Sequence, residues 1–234
     1  MSEKSCAANI KNIAFSPDGK KFAVSAGNEI TVFNCDGLEI RLVSPIRYCN
    51  KYMADAEVLC LDWSFDSRFL AYGCSNSTVS VVWPKAKKER IHIQNKKPVI
   101  NSQSQPVMGV FFMDNSYDLY VVNKVGFIVS FTSSIQPKEL IVTNKDDETC
   151  EYAEKDFKIF TLNFGQKMPP DYIITDAETK DDEEFVVPSL SGVAFHKKNE
   201  IFVNTFSDGR FYVIHAGEEM HVQHRLKCSS MVSE

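Results

Sequence analysis

Leu61-Asp-Trp-Ser-Phe-Asp-Ser67, then Phe69-Leu-Ala-Tyr-Gly-Cys74, then Thr78-Val-Ser-Val-Val-Trp83 is the stretch that decides the fold. Its apolar runs are short and rich in Val, Phe, Trp and Tyr, which favours strands over helices. Polar turns separate them. Tight hairpins need positive φ, which is why Asn76-Ser77 stands between two of the runs. The stretch therefore predicts strand, turn, strand, turn, strand.

The layout recurs. Before it come Ile13-Ala-Phe-Ser-Pro-Asp-Gly19, Phe22-Ala-Val-Ser-Ala26 and Glu29-Ile-Thr-Val-Phe33. After it come Val110-Phe-Phe-Met-Asp-Asn-Ser116, Leu119-Tyr-Val-Val-Asn123 and Phe127-Ile-Val-Ser-Phe131. The last copy is Val193-Ala-Phe-His-Lys-Lys-Asn199, Ile201-Phe-Val-Asn-Thr205 and Arg210-Phe-Tyr-Val-Ile214. The aromatic anchors Phe15, Trp63, Phe112 and Phe195 lie about 48, 49 and 83 residues apart. A looser fourth strand is expected in each unit, around Leu38–Leu42, Arg90–Ile93, Glu139–Val142 and Gln223–Cys228.

Four antiparallel strands per unit, at a repeat of roughly 40–50 residues, are the signature of a propeller blade. The fold expected is all-β: a WD-repeat β-propeller segment over 1–234, with four four-stranded blades near 8–44, 56–100, 106–143 and 190–228. A blade packs both faces on its neighbours, so its inner strands are almost continuously apolar. The wide last gap holds an acidic insertion, 143–188, flanked by Asp146-Asp-Glu148 and Asp181-Asp-Glu-Glu184. Inside it an apolar island, Phe157 to Phe164, makes Phe157, Phe160 and Phe164 a candidate docking loop; a solvated spacer is the competing reading. Four units leave apolar faces and strand edges open at both ends, so the ring is expected to be part of a larger one, completed by another segment.

Composition narrows the function classes. Hydrophobic residues make up 44% and Phe occurs 17 times, enough for a substantial core. The net charge of −5 argues against a chain-wide electrostatic grip on nucleic acid. Seven Cys, with no C-x-x-C pair, argue against a disulfide framework or a zinc cluster and for a reducing compartment. Cys60 and Cys74 read as small core residues. Met1-Ser-Glu-Lys4 lacks a signal-peptide pattern, and the longest apolar run, Val107 to Met113, is too short to span a bilayer. A soluble intracellular protein, with no membrane partner, is expected.

The motifs also carry a resemblance. Leu61-Asp-Trp-Ser-Phe-Asp-Ser-Arg68, Phe111-Phe-Met-Asp-Asn-Ser-Tyr-Asp-Leu-Tyr120 and Ala194-Phe-His-Lys-Lys-Asn199 are similar, in this order, to blades of the periodic tryptophan protein 2 family. Phe15-Ser-Pro-Asp-Gly-Lys-Lys-Phe22 followed by Gly27-Asn28 is similar too, and the acidic insertion falls at the same place. The chain departs from the common WD pattern in lacking a Gly-His dipeptide and in having Pro84 after Trp83. Members of the family are longer, with tandem propellers and a helical tail, and this chain matches the middle and later blades of the first propeller. The resemblance implies a nucleolar scaffold of ribosome biogenesis. Its partners would be other proteins of the UTP-B subcomplex of the small-subunit processome, and precursor ribosomal RNA or guide snoRNA through the assembly.

No residue pattern suggests catalysis. There is no G-x-S-x-G, P-loop or G-x-G-x-x-G, so no catalytic, cofactor-binding or metal site, no cofactor and no small-molecule substrate are expected. His221-x-x-His224 lacks a third ligand at suitable spacing and reads as a surface hairpin. His196 reads as a turn residue. Asp62 and Asp66 read as strand-end and turn-capping groups, because adjacent strand side chains point to opposite faces. The best basic patch is Lys85-Ala-Lys-Lys-Glu-Arg90, in which Lys85, Lys87, Lys88 and Arg90 are candidate RNA or partner contacts. A solvated hairpin that blunts an outer edge strand with lysines is the competing reading, and the simpler one. A WD-repeat interaction module in another intracellular complex is the alternative function.

Overall fold

The structure, a computed structural model, describes residues 9–36, 39–47, 56–82, 84, 90–93, 105–133, 162–168, 188–217 and 219–228. The described strands form four antiparallel sheets, each four-stranded. The first is β1 (Ile10–Phe15), β2 (Lys21–Ala26), β3 (Glu29–Asp36) and β4 (Glu39–Arg47). The second is β5 (Val58–Trp63), β6 (Leu70–Cys74), β7 (Val79–Val82) and β8 (Arg90–Ile93). The third is β9 (Val107–Phe112), β10 (Leu119–Asn123), β11 (Ile128–Ser133) and β12 (Leu162–Met168). The fourth is β13 (Leu190–His196), β14 (Ile201–Phe206), β15 (Arg210–His215) and β16 (His221–Lys227), with a short 3-10 turn at Lys197–Asn199 after β13. Each sheet is a simple meander, with its first strand at one edge and its fourth at the other.

One expectation needs correction. The outer strand of the third sheet was expected at Glu139–Val142, which lies outside the described residues. It is Leu162–Met168, inside the stretch read as an insertion, paired with β11 so that Phe164 stands opposite Phe131. The third sheet therefore draws on residues well past 143. Lengthening a connection costs little, since loop-closure entropy grows only with the logarithm of length. An outer strand needs only one ladder partner, and β11 supplies it to Leu162–Met168.

The sheets stack through three apolar seams. Ala23, Ile30 and Val32 of the first sheet meet Trp63, Leu70 and Tyr72 of the second. Ala71 and Val81 of the second meet Phe112, Leu119 and Val121 of the third. Tyr120, Val122 and Ile128 of the third meet Phe202, Tyr212 and Ile214 of the fourth. Alternation explains the sorting: Leu70 and Tyr72 face one seam and Ala71 the other, and Leu119 and Tyr120 divide likewise. Both middle strands, β6 and β10, are buried at every position. A Cβ on Gly73 would lie 2.4 Å from Val107 Cγ1, so only glycine allows the second and third sheets to approach this closely.

The two end sheets differ. β1 shows its outward face to solvent, with Ile13 at 59% and Phe15 at 66% exposure. β14 is buried only at alternate positions.

Candidate functional site

The polar groups that could carry function are concentrated where the sheets meet. Trp63 and Asp62 are neighbours on β5 and point to opposite seams. The Trp63 indole Nε1–H donates to the Ala14 carbonyl of the first sheet at 3.0 Å. The Asp62 carboxylate faces the third sheet and accepts from the Phe112 amide at 2.7 Å. The same oxygen accepts from Lys197 Nζ at 2.8 Å. Burial raises the Asp62 pKa, and the Lys197 charge works against that rise. Lys197 is delivered by the 3-10 turn, where His196 Nδ1 accepts from the Asn199 amide and Glu200 closes with φ 52°. One carboxylate thus ties the second, third and fourth sheets together.

A second set of links joins the β1–β2, β5–β6 and β9–β10 turns. Ser16 and Ser64 donate to Asp18 and Asp66, each at 2.6 Å, and these carboxylates accept from the amides of Lys20 and Arg68. These serine–aspartate turns then reach sideways. The Asp18 amide donates to Ser67 Oγ at 3.1 Å, and Lys21 Nζ donates to the Ser67 carbonyl at 3.3 Å. Tyr117 OH donates to Asp66 at 2.5 Å; burial, then this carboxylate, push its pKa up. At the third seam, Tyr120 OH donates to the Ala216 carbonyl at 2.6 Å, and burial pushes its pKa up to about 12.

Beside that bond lies a cavity of about 250 Å³, with Asp118, Tyr120, Thr132, Glu200 and Gly217 among its lining residues. Ligand pockets usually run from about 300 to 1,000 Å³. This one suits a single side chain of a partner, and two carboxylates at its wall favour a basic one.

The residues singled out from sequence fall as follows. Lys85, Lys87 and Lys88 lie outside the described residues, as do Phe157 and Phe160. Arg90 opens β8 opposite Val82, and Phe164 lies in β12. His221 faces His215 across the β15–β16 ladder, rings 5.4 Å apart, and its Nδ1 lies 3.0 Å from the Glu219 carbonyl. Among the described residues no three His, Cys, Asp or Glu converge as metal ligands. Cys60 and Cys74 are buried, and burial pushes the Cys74 thiol up to about 11. No described helix is long and apolar enough to cross a membrane. Sequence reasoning missed Lys197, Tyr117, Asp118 and Glu200. The recurrent Ser-x-Asp turns were visible in the sequence, but the partners of Asp62 and Asp66 were not, because they lie in other sheets.

Four-stranded meanders stacked through apolar seams, with aromatic anchors on their inner strands, define a WD-repeat β-propeller protein. Residues 47–82 match the family model of the WD domain, G-beta repeat. The fold is similar to the β-propeller domain of Cps50 (Swd1) from Myceliophteria thermophila, with a TM-score of 0.63 at 10% identity, over 95% of this chain and 61% of that one. It is also similar to U3-55K, with a TM-score of 0.57 at 14% identity, over 94% of this chain and 53% of that one.

In sequence the chain is similar to part of periodic tryptophan protein 2. It is 26% identical to the Caenorhabditis elegans homologue over 95% of this chain and 24% of that protein. It is 23% identical to the Mus musculus homologue over 94% and 25%. With Arabidopsis thaliana periodic tryptophan protein 2 it shares 24% identity over 80% and 18%. The chain spans about a quarter of the length of the first two of these relatives and less of the third.

Proposed function

We propose that this protein is a non-catalytic scaffold of ribosome biogenesis that supports small-subunit processome assembly and small-subunit ribosomal RNA processing. The observation that carries this reading is the similarity to periodic tryptophan protein 2 along 80–95% of the chain in several species. The site chemistry agrees: Asp62, Asp66, Tyr117, Tyr120 and Lys197 are engaged in holding sheets together. Partners are other UTP-B proteins, with precursor ribosomal RNA or guide snoRNA reached through the assembly, and the location is the nucleolus. Lys85, Lys87, Lys88 and Arg90 are the RNA or partner contacts, and Phe157, Phe160 and Phe164 belong to a docking segment. The four sheets form an arc of a larger ring. Affinity purification of the tagged protein should recover processome subunits; recovery of none, at good expression, overturns the reading.

The acidic cavity beside Tyr120 favours a second reading, a WD-repeat module that grips a basic side chain of a partner in another intracellular complex. Asp118→Asn with Glu200→Gln would then release the same partner that the wild type retains.

A further inference from the structure

The second and third seams differ at one corresponding place. In the second, third and fourth sheets the turn between the first two strands has one length, because Trp63 pairs with Leu70, Phe112 with Leu119 and Phe195 with Phe202. Positions inside these turns therefore match from sheet to sheet. In the second seam the residue before β6, Phe69, meets Tyr117 of the next sheet. Their rings are T-shaped at 5.0 Å, both are buried, and Phe65 adds a third ring 5.4 Å from Tyr117. The matching pair in the third seam is Asp118, before β10, and Glu200, in the turn of the next sheet. Both line the cavity of about 250 Å³. Where one seam packs aromatic rings, the other holds two carboxylates and open space.

The two carboxylates converge and lack a cation. Burial first, then the charges of Glu200 and Asp118, disfavour ionisation of the Tyr120 hydroxyl, so both lie near it. Asp118 is fixed, its Oδ1 accepting from the Ser133 amide at 2.7 Å, which leaves Oδ2. Glu200 is held by its backbone, its carbonyl accepting from the Ala216 amide at 2.8 Å. Among the described residues neither side chain has a salt-bridge partner. Lys197, three residues before Glu200, gives its charge to Asp62. Like charges beside apolar walls repel each other and are poorly hydrated. Stability does not account for them, since Phe69 and Tyr117 show that apolar bulk can fill this place.

We propose that this cavity anchors one arginine side chain of a peptide segment in a partner protein. This rests on the reading of the cavity as a grip for a basic side chain, and it names that side chain. Asp118 and Glu200 belong to facing sheets. A planar guanidinium carries donors on more than one edge and can engage both at once, whereas an ammonium is a compact, strongly hydrated charge. Leu119, Tyr120 and Phe131 give the flat group and its methylene stem an apolar and aromatic wall. The same two carboxylates repel phosphate, so the occupant is protein and not RNA. Entry is from one rim of the seam, because Asp118, Thr132, Glu200 and Gly217 lie in turns or at strand ends on that side.

The test titrates the whole 234-residue chain with short, end-blocked Gly-Ser peptides whose central residue is Arg, Lys, citrulline or Glu, and follows amide chemical shifts. The Arg peptide should move the resonances of Asp118, Thr132, Glu200 and Gly217 saturably. The Lys peptide should bind more weakly, and the uncharged citrulline and the Glu peptides should leave these resonances in place. Asp118→Asn with Glu200→Gln should weaken Arg binding by about tenfold or more. Without peptide this variant should resist urea at least as well as the wild type, since it keeps the Oδ1 acceptor and removes the repulsion. A less stable variant gives the carboxylates a structural role and overturns the proposal, as does unchanged binding by a folded variant or equal binding of citrulline. A Lys peptide that binds as tightly overturns arginine and leaves the basic grip standing. No shift with either basic peptide overturns both.

Discussion

The indole of Trp63 donates to the Ala14 carbonyl at 3.0 Å, so the largest buried side chain of the second sheet is hydrogen-bonded to the backbone of the first. Trp63 is 1% exposed and lies in the cluster that joins the two sheets. Trp63→Phe keeps most of the apolar contact and removes the donor, leaving the Ala14 carbonyl to find another partner; a loss of about 1–2 kcal/mol is expected. Trp63→Ala should cost about 3–5 kcal/mol. Urea unfolding checks both, and equal losses would show that the bond adds nothing to the packing.

The Asp62–Lys197 pair joins residues 135 positions apart in sequence. Its side chains are 21% and 28% exposed, so water screens it only in part. Asp62→Asn and Lys197→Met should each destabilise by about 1–3 kcal/mol, below the cost of breaking a fully buried pair. The double variant should lose less than the sum, because the two share one interaction. Additive losses in a double-mutant cycle would show that the contact is incidental.

Two carboxylates should respond to pH in opposite directions. Burial tends to raise the Asp18 pKa, but hydrogen bonds from Ser16, Lys20 and Ser67 outweigh it and the net shift is downward. The unfolded chain therefore takes up this proton first. The stability Asp18 contributes is present above its ordinary value of 3.8 and is lost as pH falls through the lowered one. Asp62 is raised, so it favours the folded state at acid pH and loses that contribution as pH rises through its folded value. Urea midpoints of Asp18→Asn should converge on the wild type as pH drops below about 4. A constant gap would sink this assignment.

Gly73→Ala would place a methyl group 2.4 Å from Val107 Cγ1 and 2.8 Å from Cys60 Sγ. The second and third sheets would have to part, at a cost of about 1–3 kcal/mol. Val107→Ala in the same chain removes the struck atom and should recover part of the loss. Thermal unfolding of the three variants checks this; no recovery would place the strain elsewhere.

The inner three strands of every sheet were legible from sequence. Short apolar runs and turn residues such as Gly27, Asn76 and Gly209 set them locally, and burial on both faces makes their register unforgiving. The outer strands were less legible. β16 falls within a few residues of its expected place, but β12 lay hidden in an acidic stretch. An outer strand pairs on one side only, so its sequence is weakly constrained and its loop length almost free.

Residues near in the chain could thus announce the sheets, the anchors Phe15, Trp63, Phe112 and Phe195, and the Ser-x-Asp turns. Tertiary structure alone decided what those groups touch. That Asp62 meets Lys197, that Tyr117 meets Asp66, and that Phe15 lacks the neighbour Trp63 has, all depend on which sheet lies beside which. Such contacts are non-local, and periodicity records only the face a side chain takes, never the partner waiting there.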